Sequence, residues 1–269
     1  MEKKPFSQLA ESRKMPQEEW QGEFRPAGRR TGAVDPARAK IQPGHGLRLA
    51  RTKVREILPF FADISLSGEI LDVGSGCGAV SAGFLEHFPG LRATLMDLPE
   101  VLGYARELLR EKGFHERFEY CPANILEHWP VKEKRFDLII LSNIVHAYSE
   151  VEISELLDRA AACLKKDGFL LIHDFFFEHY PEKAFLFDLN MFVNTFNGRV
   201  YPAKWLKEQL TRRKLYVTEL LPLASDTALV IAGKSPESLQ NLCLDLKSRS
   251  RGSTITFPPS GLRPSGAAP

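Results

Sequence analysis

At 269 residues, with 43% apolar and 26% charged side chains, the chain can bury one substantial core, so one catalytic-sized domain with appendages is expected. Its four cysteines, Cys77, Cys121, Cys163 and Cys243, form no CxxC pair, which argues against a zinc site or disulfide framework and suits a reducing compartment. The net charge of +2 hides basic ends around an acidic body over 61–233, and no run reaches the roughly 18 apolar residues that a membrane span needs.

Residues 1–45 mix charge with Pro and Gly, as in Arg25-Pro-Ala-Gly-Arg-Arg-Thr-Gly32, and read as a flexible basic arm that Trp20 and Phe24 could anchor. Met1-Glu-Lys-Lys-Pro5 opens it without an apolar signal region, so the cytoplasm is the expected location. Basic arms can bind nucleic acid, but no aromatic-and-basic interleaving accompanies this one, and a nucleic-acid partner is not favoured. A catalytic domain over 46–234 follows. Its first helix is expected over 46–62, with Leu47, Leu49, Val54, Ile57, Leu58 and Phe61 as the apolar face.

The pattern then alternates. Strands are expected at 69–73, 91–97, 117–121, 136–142 and 168–174, and helices at 78–88, 99–112 and 150–165. The last helix carries Glu150 and Glu152 in its first turn and Lys165-Lys166 in its last, with Gly168 beyond as the stop. Helical patterns at 183–195 and 203–213 precede strands at 215–222 and 227–233, joined by the short turn Ala224-Ser-Asp226. The expectation is an α/β fold: five parallel strands, an antiparallel terminal hairpin, and helices on both faces. Residues 235–269 read as helical and then, where Ser, Gly and Pro accumulate, disordered.

The chemistry concentrates at the first two strands. Glu69-Ile-Leu-Asp-Val-Gly-Ser-Gly-Cys-Gly78 is a buried strand running into a glycine turn. Gly74, Gly76 and Gly78 let the backbone turn sharply and approach a ligand, because no Cβ intervenes. Asp97 ends the next strand, where a ribose-binding acid stands in such units. No Lys or Arg flanks the turn to hold phosphate, and Asp72 precedes it. An acid there suits a cationic ligand, and S-adenosylmethionine has a ribose, an ammonium and a sulfonium but no phosphate.

Leu71-Asp-Val-Gly-Ser-Gly-Cys-Gly78, Met96-Asp-Leu-Pro-Glu-Val101, Ala123-Asn-Ile125, Ser142-Asn-Ile-Val-His-Ala-Tyr-Ser149 and Leu164-Lys-Lys-Asp-Gly-Phe-Leu-Leu-Ile-His-Asp174 together resemble the catalytic domain of the S-adenosylmethionine-dependent small-molecule O-methyltransferases. That group contains the caffeate- and acetylserotonin-type enzymes and their bacterial relatives. The resemblance implies the class I methyltransferase Rossmann-like sheet. It also implies that Gly74, Gly76 and Gly78 line the amino-acid end of the cofactor, and that Asp97 takes the ribose hydroxyls. Leu98, Asn124, Ile125 and Asn143 would make further cofactor contacts, and His146 would be the catalytic base, with Asp174 orienting it. Met191, Phe192, Phe196, Tyr201 and Trp205 fall on the segment that lines the acceptor pocket in the family. The family's N-terminal dimerisation domain is longer than the polar segment preceding the sheet here, which argues against the homodimer the resemblance would otherwise imply.

Methyl transfer from a sulfonium asks the protein to align a nucleophile and, for a hydroxyl, to remove its proton. An imidazole near ~6.5 and a phenol near ~10 differ by roughly 5 kcal/mol, which coupled transfer can cover. An alcohol near ~15.7 would leave on the order of 12 kcal/mol. A histidine base therefore favours an aromatic hydroxyl on a small-molecule acceptor. Three departures from the family keep other readings open: Ala147 follows the histidine in place of Asp, Asp174 is one methylene shorter than the usual Glu, and Val200 stands where a second acid is usual. A sulfur or nitrogen acceptor, or a catalytically silent cofactor-binding protein, would tolerate these. His173, His179 and Asp174 have no helical i, i+4 spacing, and no metal is expected.

Overall fold

The computed structural model describes residues 53–249 apart from 62, 63, 112 and 114. The basic arm, residues 46–52 of the first expected helix and residues 250–269 of the tail therefore lie outside the described residues. Strands β1 (Gly68–Val73), β2 (Leu91–Asp97), β3 (Phe118–Pro122), β4 (Phe136–Ser142), β5 (Leu164–Asp174), β6 (Tyr216–Val217), β7 (Leu221–Pro222) and β8 (Ala228–Gly233) form one sheet. Its order is β3-β2-β1-β4-β5-β8-β6, with β7 pairing on β8. The first five strands run parallel. β8 lies antiparallel to β5, and the two short strands pair antiparallel with β8.

The helices are α1 (Ala79–His87), α2 (Pro99–Glu111), α3 (Glu150–Cys163), α4 (Pro181–Asn194), α5 (Ala203–Arg212) and α6 (Pro236–Arg249). Because helices cover both faces, the central strands read as continuous apolar runs rather than alternating ones. Leu71, Val73, Ile139, Leu141, Leu170 and Ile172 face a layer built with Ile153 and Leu157 of α3 and Leu206 and Leu210 of α5. Ile70, Leu138, Ile140, Phe169 and Leu171 face the other, built with Phe84 of α1, Leu102 of α2 and Leu242 of α6. Residues 53–57 are helical and pass into the tight turn Leu58–Phe61. There Phe61 meets Phe84 and Phe169 edge-on at 5.4 and 6.2 Å.

Two expected elements change. The strand expected over 215–222 is broken into β6 and β7. Between them the Thr218 N–H donates to Ile231 O at 2.9 Å, while its hydroxyl oxygen accepts the Ile231 N–H at 3.1 Å, so a side chain replaces one rung of the ladder. The helix expected over 150–165 ends at Cys163, and Lys165 and Lys166 belong to β5. Leu164 pairs with Phe136, and Lys165 Nζ reaches Asp137 Oδ2 at 2.8 Å, so Lys165 serves the start of the sheet rather than a helix end. Gly168 is not a helix stop either: a Cβ there would press on the carbonyls of Phe136 and Asp137, at 2.9 and 3.0 Å.

β1 sits between β2 on one side and β4 on the other. The chain reverses direction across the sheet here, and the crevice at the carboxyl ends of β1, β2, β4 and β5 is where ligands of open α/β sheets bind.

Candidate active site

The first half of the site is built on backbone. Gly74, Gly76 and Gly78 have φ of 65, 54 and 69°, a region costly for residues bearing a Cβ. A Cβ on Gly74 would strike Ile144, and one on Gly78 would strike Leu95, whereas one on Gly76 would meet nothing within 4 Å. Gly76 thus borders open space, and its N–H donates to Asp97 Oδ2 at 2.8 Å. The Leu98 N–H donates to Asp97 Oδ1, also at 2.8 Å. Each carboxylate oxygen keeps a lone pair for a further donor, as two adjacent ribose hydroxyls require. Burial pushes the Asp97 carboxyl up, opposed by these two N–H groups.

The other expected cofactor residues take distinct places. Asp72 is 2% exposed and turns inward, accepting the Ser81 hydroxyl at 2.7 Å. Burial raises its carboxyl to about 6, with the nearby Asp97 adding to the rise. Asn124 uses its amide locally: Oδ1 accepts the Leu126 N–H at 3.1 Å, and Nδ2 donates to Glu127 at 3.1 Å. Ile125 is buried, and its Cδ1 lies 3.6 Å from where a Gly74 Cβ would be. Asn143 adopts φ 57°, and its N–H donates to His173 O at 2.8 Å. Asn143 Oδ1 and Ser75 Oγ are buried polar atoms without a hydrogen-bond partner among the described residues. Two orphaned acceptors, a diol-ready carboxylate and a glycine that opens onto space fit a nucleoside bearing an amino-acid tail.

The second half of the site is a buried acid–histidine pair. β4 ends at Ser142 and the chain turns through Val145–Ala147 before α3. His146 Nδ1 lies 2.6 Å from Asp174 Oδ1, and the His146 N–H donates to Asp174 Oδ2 at 3.2 Å. Burial pushes the Asp174 carboxyl up, but the charge and hydrogen bond of His146, with the N–H of Phe175, more than offset this and hold it below its ordinary range. An ionised carboxylate only accepts, so Nδ1 carries the proton and Nε2 is the basic nitrogen. The ring is 13% exposed and Asp174 is 1% exposed.

Phe187 stands edge-on to the His146 ring at 4.9 Å and stacks on Phe175 at 3.8 Å. The residues expected to line the acceptor pocket are dispersed instead. Met191 and Tyr201 are buried, and Phe192 and Phe196 are 68 and 91% exposed. Tyr201 stacks on Trp205 and donates its hydroxyl to Tyr148 O at 2.8 Å.

Sequence reasoning missed Phe175 and Phe187, although Phe175 directly follows Asp174. It also missed Tyr148, whose phenol burial and the charge of Asp97 raise to about 12, and half-buried Lys53. Burial lowers the Lys53 ammonium despite the pull of Asp174, Asp226 and Glu56. His173 is fully buried between Ser142 Oγ at 2.9 Å and Thr227 Oγ1 at 2.8 Å. Burial and Lys53 drive its imidazole down to about 3, and no metal-binding cluster exists among the described residues.

Residues 47–213 match the family described as the O-methyltransferase domain. The chain belongs to that family. S-adenosylmethionine is the family's methyl donor, and the cleft at Gly76 and Asp97 fits it. The chain is 33% identical over 132 residues to a mitomycin biosynthesis 6-O-methyltransferase of Streptomyces lavendulae, covering 49% of this chain and 37% of that protein. It is 30% identical over 156 residues to a 3-hydroxy-5-methyl-1-naphthoate 3-O-methyltransferase of Streptomyces sahachiroi, covering 55% and 44%. The chain thus spans less than half the length of these curated relatives. An O-methyltransferase family 2 protein of Planctomyces limnophilus, solved with apigenin, superposes with a TM-score of 0.61 at 25% identity, over 72% of this chain and 62% of that one. No helix among the described residues is long and apolar enough to cross a membrane.

Proposed function

We propose that the protein transfers the methyl group of S-adenosylmethionine to a hydroxyl of a small aromatic acceptor, with His146 as general base. The observation that carries this reading is the 2.6 Å contact between His146 Nδ1 and Asp174 Oδ1. When bound, the donor supplies an electrophilic methyl group and leaves as a neutral thioether. The protein's part is to hold the acceptor oxygen in line and to receive its proton at Nε2. Asp174 keeps the imidazole in the required tautomer and stabilises the imidazolium that forms. The stacked Phe175 and Phe187 offer a flat apolar wall beside the base, suited to a planar ring. Relatives named for mitomycin and naphthoate chemistry support an aromatic acceptor. Gly76, Asp97, Leu98 and Asn143 would hold the donor. Asp72, Gly74, Gly78, Asn124 and Ile125 would support it from behind, since their side chains or Cβ positions are engaged within the protein.

A panel of phenols incubated with labelled donor tests the reading. His146→Ala should lower kcat on the preferred acceptor by about 10²- to 10⁴-fold while leaving the affinity for S-adenosylhomocysteine unchanged. Full turnover in that variant would remove His146 from the mechanism. Donor binding with no transfer to any acceptor would favour a silent cofactor-binding protein.

A further inference from the structure

Asp188 is a buried acid, 6% exposed, that neither the donor cleft nor the His146–Asp174 pair uses. It lies in α4, one residue beyond Phe187, the ring that meets His146 edge-on. Asp188 Oδ1 accepts the N–H of Val200 at 2.9 Å. The adjacent Arg199 N–H donates to the carbonyl of His146 at 2.8 Å. Tyr201, next along, bridges Phe176, two residues past Asp174. Residues 199–201 therefore form a splint that touches the backbone on both sides of the acid–base pair. Asp188 is a side chain that ties α4, and with it Phe187, to the middle of that splint.

His146 is then held at three points: its ring nitrogen and its N–H by Asp174, and its carbonyl by the splint. Charge-assisted hydrogen bonds to a carboxylate are stronger than neutral ones, and a base displaced by about 1 Å can lose roughly a hundredfold in rate. We propose that Asp188 is a positioning residue for His146: by anchoring residues 199–201 to α4 it sets the pose of the imidazole against Phe187, without touching donor or acceptor. This rests on the reading of His146 as the base.

The test uses Asp188→Ala, Asp188→Asn, which keeps an acceptor oxygen, and Asp188→Glu, which keeps the charge but displaces it by a methylene. Three quantities are measured: turnover on the preferred phenol, calorimetric affinity for S-adenosylhomocysteine, and the ¹H–¹³C resonance of the His146 Cε1–H through a pH titration. Asp188→Ala should lower kcat by about tenfold to a hundredfold and move the His146 resonance or its titration midpoint, with unchanged affinity for S-adenosylhomocysteine. Asp188→Asn should restore turnover to within a few-fold of the parent.

If Asp188→Ala does not fold, Asp188→Glu carries the test, with a smaller loss in the same direction and a displaced resonance. Asp137→Asn is the control, a carboxylate at the amino-terminal end of the central strand β4, opposite the crevice, that also accepts a backbone N–H, from Glu69 at 2.8 Å. It should leave both turnover and resonance as in the parent. A folded Asp188 variant with parental turnover and a parental His146 resonance would overturn the proposal, as would an Asp137→Asn variant that moves the resonance equally. The resonance needs no acceptor. If even the parent transfers no methyl group, the proposed function fails, while the resonance still decides the role of Asp188.

Discussion

An isolated histidine is a modest base with two interchangeable nitrogens, and His146 differs because Asp174 assigns the proton to one of them. Burial alone would make that aspartate hard to ionise. The imidazole beside it and the Phe175 N–H reverse the balance, so the pair is worth more than its members. Asp72 shows the opposite outcome. With the Ser81 hydroxyl and N–H as partners but no cation to oppose its burial, it stays near 6, above the ~3.9 of an unperturbed aspartate. The folded state therefore binds this proton more tightly than the unfolded one. The stability that protonated Asp72 contributes is present below about pH 4 and is lost as pH rises through about 6. Asp72→Asn removes the loss. Its stability relative to the parent, from urea unfolding, should increase by on the order of 2 kcal/mol between about pH 4.5 and about pH 7.5. A pH-independent difference would show that Asp72 does not titrate in that window. His146, Asp97 and the glycines were legible as candidate residues because their chemistry is local. The partnership with Phe187 was not, because it joins positions 41 residues apart in the chain.

At the level of elements, the start of α3 connects fold to site. Ser149 caps it, its oxygen accepting the Glu152 N–H while Glu152 returns a bond to the Ser149 N–H at 2.8 Å, a complete capping box. The cap stands three residues after His146, so the first turn of this helix also fixes one end of the His146 loop. Ser149→Ala should cost about 1 kcal/mol, a fall of roughly 2–4 °C in thermal midpoint, which calorimetry would read. An unchanged midpoint would mean that the cap contributes nothing. The acids at this N-terminus were readable from sequence because a helix macrodipole favours acids in its first turn; the Ser149 cap was not read. The other end was misread for the complementary reason. Lys165 and Lys166 look like macrodipole partners, but the pairing of Leu164 with Phe136 draws them into β5. A helix-to-strand boundary set by a strand 28 residues earlier leaves no local mark. Thr218 is similar: its side chain replaces a ladder rung only because Ile231 lies opposite.

For the molecule as a whole, the proposed donor cleft exists only when β1 and β2 lie side by side, since the Gly76 N–H of one turn must meet the Asp97 carboxylate of the other. Binding there should therefore stabilise the entire sheet. At a concentration one hundred times its dissociation constant, S-adenosylhomocysteine should add about 2.7 kcal/mol, a rise of roughly 5–10 °C. Asp97→Ala should abolish the rise at the same concentration, and an equal rise in that variant would place the ligand elsewhere. The alternation of apolar strands and amphipathic helices was enough to specify a parallel α/β sheet, because burial on two faces imposes a pattern on every strand. The glycine turn, the acid at the end of β2 and the histidine after β4 followed from chemistry carried within short segments. Tertiary structure alone decided which side chains surround His146, which carboxylates ionise, and that Phe192 and Phe196 face outward while Phe187 faces in. Those outcomes depend on dielectric environment and on contacts between distant segments, and neither is encoded in the spacing of neighbouring residues.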